Sequence, residues 1–252
     1  MQISAVIITF NEEVNIKRCL QSLQGVADEI IVVDSFSTDA TEQICREYNV
    51  TFLTHAFEGH IQQKNWAWGK ATHDWVLSLD ADEALSFELK KSILEEKENP
   101  SSKTYKMNRL TNYCGTWIKH GSWYPDRKLR FAKKDAVVWA GDNPHDKLTP
   151  IKKHKAKKLS GDILHYSYYS IDQHIAQQQK FSTIAAQAMY ARRKKAPLYK
   201  LIVNPIASVT KDLIINQGFL DGVSGFKVAF ISAKSVYWKY SKLRELWKLG
   251  SK

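Results

Sequence analysis

Glu29-Ile30-Ile31-Val32-Val33-Asp34 is the stretch from which the fold is read. Four consecutive β-branched residues leave no polar side for water, so the strand they form is buried on both faces, as in a parallel sheet covered by helices. Working outward, residues 4–10, 50–53 and 75–79 form further short strands. Between them Ile16, Leu20 and Leu23 recur at helical spacing after Asn11-Glu12-Glu13, and a helix over 40–48 starts behind Ser37-Thr38-Asp39, a run of good N-cap residues. Strands and helices alternating in this way build βαβ units. Ligands of open α/β sheets bind at the carboxyl ends of the strands. The loops 9–12, 34–39 and 80–83 are therefore expected on one edge, and chemistry is sought there.

At 252 residues the chain suits one large α/β domain with additions. Its composition, 44% hydrophobic and 25% charged with 11 Gly and 6 Pro, excludes a linker-like or mainly disordered chain. Cys19, Cys45 and Cys114 are widely spaced and form no CxxC pair, which predicts neither a disulfide framework nor a zinc site and fits a reducing compartment. The net charge of +11 is uneven. Before Pro100 there are 8 Lys+Arg against 17 Asp+Glu, net −9; the remainder holds 29 against 9, net +20. A basic half of this size suits a polyanionic partner, whether nucleic acid, an anionic membrane surface or a phosphorylated substrate. The first residues lack a basic n-region and cleavage site, so the chain is expected to stay in the cytoplasm. The longest charge-free apolar stretch of the back half, 201–210, is interrupted by Asn204 and Pro205 and is too short for a span of ~20 residues.

From 101 to about 168 short alternating segments rich in Trp and Tyr predict an antiparallel extension, with turn signals at Gly121, Gly141-Asp142-Asn143-Pro144 and Ser160-Gly161-Asp162. From Ile171 helical periodicity returns, with Ile175, Phe181, Ile184, Ala188 and Met189 on one side and Arg192-Arg193-Lys194-Lys195 closing the helix. The later helices read as amphipathic and basic, docked on the same body.

Leu79-Asp80-Ala81-Asp82-Glu83 ends a hydrophobic strand, and residues two apart on extended chain point the same way. Two carboxylates facing one ligand suit Mg²⁺ or Mn²⁺ with substrate phosphates. The plainer alternative is an acidic turn capping a helix over 86–97. Asp34, ending the second strand, can accept hydrogen bonds from a ribose or a base N–H. Alone, it is equally an ordinary turn with Asp39 as cap.

Taken together, Val6-Ile7-Ile8-Thr9-Phe10-Asn11-Glu12-Glu13, Val33-Asp34-Ser35-Phe36-Ser37-Thr38-Asp39 and Leu79-Asp80-Ala81-Asp82-Glu83 resemble family 2 glycosyltransferases in order and separation. Gln63-Lys64-Asn65-Trp66-Ala67 stands where that family usually has an Arg-Asn or Lys-Asn pair. One departure is Asp34-Ser35-Phe36-Ser37, where the family often has Asp-Asp-Gly-Ser. The resemblance implies an α/β GT-A nucleotide-diphospho-sugar transferase fold: a mostly parallel, Rossmann-like sheet, an antiparallel extension and a helical C-terminal region. It places a transferase domain over 1–168, with a nucleotide-sugar-binding half (1–100) and an acceptor-binding half (101–168), and a basic helical extension over 169–252. It further implies inversion at the anomeric carbon. By position, Thr9, Asn11, Glu12 and Asp34 would line the nucleoside pocket, Lys64 would reach the donor, Asp80 would lie near the ribose, and Asp82 would hold Mg²⁺ or Mn²⁺ on the diphosphate.

An inverting transfer also needs a carboxylate that takes the acceptor's proton. Asp126, Asp142 and Asp146 are candidates, and Asp146 is preferred. Pro125-Asp126-Arg127-Lys128-Leu129-Arg130-Phe131 with His145-Asp146-Lys147-Leu148 looks like the lipopolysaccharide-core branch, which adds β-linked glucose to an inner-core heptose. There the acid after His usually reads Glu. His145 is a further candidate for the metal shell, although a turn after Pro144 accounts for the pair equally simply. Trp123, Asp126, Arg127 and Arg130 are candidates for acceptor or phosphate binding. Residues 218–226 also resemble that branch. The implied reaction moves glucose from UDP-glucose to a lipopolysaccharide-core or other lipid-linked glycan.

Lys147, Lys152, Lys153, Lys155, Lys157 and Lys158 read as a solvated face. Tyr237-Trp238-Lys239-Tyr240 and Leu243-Arg244-Glu245-Leu246-Trp247-Lys248 interleave aromatics with lysines like an interfacial helix, so peripheral attachment to an anionic inner-membrane surface is expected there. Two rival readings stay open. A sugar nucleotidyltransferase would want a Gly-rich basic loop where Thr9-Phe10-Asn11-Glu12-Glu13 stands. A nucleic-acid-binding module would use the basic, aromatic back half, but no RRM, KH or zinc-finger pattern is present.

Overall fold

Alternate residues of the central strands go to opposite faces, and both faces are dry. The computed structural model describes residues 1–142, 145–152 and 155–249. Strands β1 (Ile3–Thr9), β2 (Glu29–Asp34), β3 (Thr51–Thr54) and β4 (Trp75–Asp80) lie parallel in the order β3-β2-β1-β4. Helices α1 (Ile16–Leu23), α2 (Thr41–Arg46), α3 (His60–Lys70) and α4 (Phe87–Glu98) alternate with them and follow β4. The four expected strands are all present within a residue of their expected bounds. Helix α2 is shorter than expected, its first N–H bonded by Asp39 Oδ1 at 3.0 Å.

Strands β5 (Glu83–Leu85), β6 (Thr104–Tyr113), β7 (Thr116–Ile118), β8 (Asp126–Lys133), β9 (Val137–Asp142), β10 (His145–Pro150) and β11 (Lys157–Tyr168) complete the set. The parallel sheet continues from β4 through β8, β6, β11 and β5, with antiparallel pairing of β4 to β8, β8 to β6 and β11 to β5. Strands β9 and β10 form a separate antiparallel hairpin. The expected antiparallel extension is thus mostly an enlargement of one mixed sheet.

By its contacts the chain divides into two compact units, one made of Met1–Arg109 and Asp126–Tyr166, the other of Leu110–Pro125 and the chain from Ser167 onward. In the first unit Ile3, Ile7, Val32, Leu77 and Leu79 pack against α1, α2 and α4 through Leu20, Cys45 and Leu89. On the opposite face Val6, Ile31, Val33 and Val76 pack against Ala67 and Trp68 of α3 and against Trp139 and Leu148 of the hairpin. The Ile30–Val33 run is therefore buried on both faces, one covered by helices and the other by a helix and a hairpin.

Ser160-Gly161-Asp162, expected as a turn, instead lies inside β11. Gly161 has φ +82°, and a Cβ there would meet Leu89 N at 2.2 Å. This glycine serves a close approach of the strand to the first turn of α4, whose cap Ser86 exchanges hydrogen bonds with Asp162 at 3.0 and 3.2 Å.

The second unit contains α5 (Ile171–Ala191), α6 (Lys200–Thr210) and α7 (Gly222–Leu249). Helix α6 runs on into a π turn over Lys211–Ile215, and a 3₁₀ turn over Gly218–Asp221 leads into α7. Ser170 and Gln173 form a capping box that starts α5. The buried side of α5 is not the expected apolar one: His174, Ser182 and Ala186 are buried, whereas Ile184 is exposed. The reason is the packing of α5 on α7, whose buried positions include the small Ala229 and Ala233, spaced by four. Lys242 of α7 bonds Gln179 O at 2.8 Å and Ser182 Oγ at 2.9 Å, so a close, partly polar seam replaces bulky apolar contact. Among the described residues no helix is long and apolar enough to cross a membrane.

Candidate active site

Parallel register brings the strand-end residues level. Thr9 pairs with Asp34 and Ile8 with Asp80, so the loops after β1, β2 and β4 share the edge expected of them. The first two loops are laced together by side chains. Asn11 Oδ1 accepts from Thr38 N at 2.8 Å, Thr41 Oγ1 from Glu12 N at 2.8 Å, and Glu13 Oε2 from Ala40 N at 2.9 Å. Asn11 and Phe36 both adopt left-handed φ, +53° and +63°. Phe36 thus stands, fully formed, where the family pattern has glycine, which explains that glycine's usual presence. Asp34 is buried, and its carboxylate accepts from Ser37 N at 2.7 Å and Ser37 Oγ at 2.5 Å, shaping the loop beneath any ligand. Thr9 Oγ1 is buried without a hydrogen-bond partner among the described residues.

Asp80 lies at the centre of a buried ion network. Lys64, whose side chain is 4% exposed, places Nζ 2.8 Å from Asp80 Oδ1 and 2.8 Å from Asp146 Oδ2. Arg130 Nη2 is 2.9 Å from Asp80 Oδ2 and 3.2 Å from Glu83 Oε1. Glu83 is fully buried, receives Asp80 N at 3.0 Å and is also approached by Arg109 at 3.4 Å. Burial alone would raise the Asp80 carboxyl, but Lys64 and Arg130 outweigh it and hold it well below the usual carboxylate range. Burial would likewise weaken the Arg130 guanidinium, yet Glu83 and Asp80 drive its pKa upward. Glu12 behaves oppositely. Its burial, together with the charges of Asp82, Asp39 and Asp80, raises its carboxyl against the lowering hydrogen bond from Asn15.

The segment 63–67 lies on α3, and its residues have separate tasks. Gln63 bonds His55 Nδ1 at 2.8 Å and Ser35 Oγ at 3.1 Å, fastening α3 to the loop after β2. Asn65 pairs with the backbone of Trp139, Nδ2 to O at 2.8 Å and N to Oδ1 at 3.1 Å, fastening α3 to β9. Between them Lys64 reaches Asp146 on β10, opposite Gly141, while Lys64 and Arg130 lie 4.6 and 5.1 Å from the Trp139 ring centre. One helix turn thereby joins the β2 loop, the β4 end and the hairpin.

Asp82 Oδ2 is 3.1 Å from His165 Nε2 on β11. His165 lies opposite Glu83 in the β11–β5 pairing, and only that register brings it to the site; no sequence motif marked it. Among the described residues no group of three His, Cys, Asp or Glu side chains stands ready for a metal ion. The donor set is nevertheless chemically suitable. A partly exposed carboxylate and an imidazole fit a divalent cation that takes its remaining ligands from substrate phosphate.

Asp126 is held by Arg109 Nη2 at 2.9 Å and Lys128 at 3.1 Å. Arg127 lines an open basic hollow of about 560 Å³ with Lys106, Lys155 and Lys158. Trp123 belongs to the second unit, in an aromatic cluster with Tyr113, Tyr168 and His174. Asp142 and His145 have side chains outside the described residues, and Asn143, Pro144 and Lys153 lie outside them entirely. Arg109, Glu83, His165 and Trp139 had no assigned role in the sequence reading, because strand pairing alone assembles them.

The family model described as glycosyl transferase family 2 matches residues 4–194. An uncharacterized glycosyltransferase of Rickettsia typhi is 31% identical over 97% of this chain and 87% of its own length. The lipopolysaccharide core biosynthesis glycosyltransferase LpsC of Rhizobium meliloti is 26% identical over 96% of this chain and 94% of its own. The structure of S. aureus TarS 1–349 with UDP-GlcNAc is 14% identical, covering 96% of this chain and 92% of that one with TM-score 0.49. With its strand-end carboxylates gathered on one edge of a mixed α/β sheet, the chain belongs to glycosyl transferase family 2 and is a glycosyltransferase of the GT-A fold.

Proposed function

We propose that this enzyme is an inverting hexosyltransferase that moves glucose from UDP-glucose to a lipopolysaccharide-core or other lipid-linked glycan, working in the cytoplasm at the inner-membrane surface. The observation that carries the reading is Lys64, 2.8 Å from both Asp80 and Asp146, which ties a donor-side carboxylate to an acceptor-side one. Thr9, Asn11, Glu12, Asp34 and Asp80 form the nucleoside side of the edge. Asp146 takes the proton of the acceptor hydroxyl as its oxygen bonds to C1 of the sugar and the bond from C1 to the diphosphate breaks. Lys64 orients the Asp146 carboxylate and sets a positive charge beside the departing diphosphate. Asp82 and His165 would hold Mg²⁺ or Mn²⁺, whose chemistry when bound is to neutralise charge on that diphosphate. The similarity to LpsC over nearly the whole chain supports a lipopolysaccharide-core acceptor. Arg127 and Arg130 are proposed to contribute to phosphate recognition, Arg130 through its hold on Asp80.

The test is calorimetry with UDP-, GDP- and CDP-sugars, with and without Mn²⁺, followed by transfer assays. UDP-glucose should bind best and in a metal-dependent way, and Asp82→Ala should lose that dependence. Asp146→Asn should keep donor binding and lose transfer by roughly 10²–10⁴-fold. Full transfer by Asp146→Asn would remove it as the base.

A further inference from the structure

Part of the aromatic tail that sequence pattern favours for a membrane is packed within the second unit, while Tyr237 stays exposed. Tyr240, Leu246 and Trp247 pack with Leu243, Ala186 and Ala196, and the Trp247 indole N–H donates to Lys194 O at 2.8 Å. The apolar surface lies earlier, between residues 198 and 230. Helix α6 has no buried residue, and its exposed positions 202, 203, 206, 207 and 210 fall on one helical face that carries no charge. Ile202 and Ile206 are exposed there, Ile214 and Ile215 on the π turn, and Val223 and Phe230 on α7, with Ile215 at 70% and Val223 at 71%. An amphipathic helix in water normally shows its polar face. Here the exposed face is the apolar one, far beyond scattered surface hydrophobics.

The charges over the same stretch all have one sign at the surface. Between 198 and 239 the basic residues are Lys200, Lys211, Lys227, Lys234 and Lys239. The two acids of that stretch are both withdrawn. Asp212 is buried and accepts from Ser122 N, and Asp221, with a side chain 5% exposed, accepts from His120 N at 2.8 Å and pairs with His120 Nδ1 at 2.9 Å. Apolar side chains flanked by lysines alone complement the surface of an anionic bilayer, where the former enter the acyl boundary and the latter meet lipid phosphates.

We infer that α6, the turn after it and the first turns of α7 form a monotopic docking face for an anionic lipid bilayer. The face stands on the second unit by itself and does not rest on the transferase chemistry. The full chain is tested by flotation with vesicles of phosphatidylcholine alone and of phosphatidylcholine with phosphatidylglycerol, at low and high salt. Flotation is expected with the anionic vesicles and should weaken with salt. The triple variant Ile214→Ser, Ile215→Ser, Val223→Ser should bind those vesicles at least tenfold more weakly, roughly the partition lost with one buried aliphatic side chain. Lys211→Gln and Lys227→Gln should each weaken binding about fivefold. Unchanged circular dichroism, melting and UDP-glucose binding establish that the variants are folded and separate this result from the donor-site reading. Failure of wild type to float with either vesicle overturns the inference. So does a concentration-dependent dimer in sedimentation velocity that the triple variant abolishes without any vesicle binding, which would assign the face to a second copy.

Discussion

Lys64→Met keeps the length of the buried side chain and removes its charge. Asp146 then keeps no ion pair among the described residues, only the longer-range charge of Arg130, and Asp80 keeps Arg130 at 2.9 Å. Breaking a buried ion pair from one side costs about 3–5 kcal/mol. The Asp80 and Asp146 side chains retain 25% and 12% exposure, so water relieves part of that cost, and a loss of about 2–3 kcal/mol is expected at pH 7. The pH dependence fixes the mechanism. The lowered Asp80 carboxyl contributes stability that is fully present above its ordinary value of 3.8 and is lost as pH falls through the folded value. Without Lys64 the lowering is weaker, so the gap between variant and wild type should narrow as pH falls through the variant's own folded value. Urea melts from pH 7 downward measure both quantities. A loss under about 0.5 kcal/mol at pH 7 would refute the network argument. Adding Asp146→Asn to Lys64→Met should recover about 1 kcal/mol, since the orphaned charge is then gone.

Gly161→Ala forces a Cβ to within 2.2 Å of the α4 backbone at a left-handed φ and should cost about 3 kcal/mol or more, read by the same urea melts. At Phe36, whose ring is exposed, replacement by glycine should leave stability equal or higher, while Phe36→Val should lose about 1 kcal/mol because a β-branched residue fits the left-handed region poorly. Burial pushes His174 down to about 4, so the unfolded chain, with an ordinary value of 6.5, binds the proton first. Stability should therefore fall by about 2 kcal/mol as pH drops from 7 toward 4, and His174→Phe should flatten that slope in melts across the range.

The parallel half of the fold was legible because burial on both faces writes itself into a strand as an unbroken apolar run, as in Ile30–Val33. What was not legible depends on pairing between distant segments. His165 meets Asp82 only because β11 registers against β5, and Lys64 meets Asp146 across 82 positions because Asn65 ties α3 to the hairpin. Gly161 announced a turn by its type, whereas its task is to let two backbones touch. On α5 the apolar period misled because a close helix seam selects small and polar residues, and on α6 the usual rule of apolar residues inside is reversed. The acidic pair Asp80 and Asp82 was visible as a motif, and the resemblance gave each a role, but their partners were not legible: Asp80 is held by Lys64 and Arg130, Asp82 by His165.

The interleaving of the two units has a consequence for biosynthesis. Residues 110–125 leave the ribosome before 126–166, yet they belong with the chain made after Ser167. Tyr113 and Ile118, buried against Tyr168 and Val228 in the finished protein, must wait without their cover while the first unit is completed. Any nascent chain halted soon after Tyr166 would carry a finished sheet beside an uncovered apolar segment, a form suited to capture by chaperones and proteases. A chain ended there should therefore be cleared rather than tolerated.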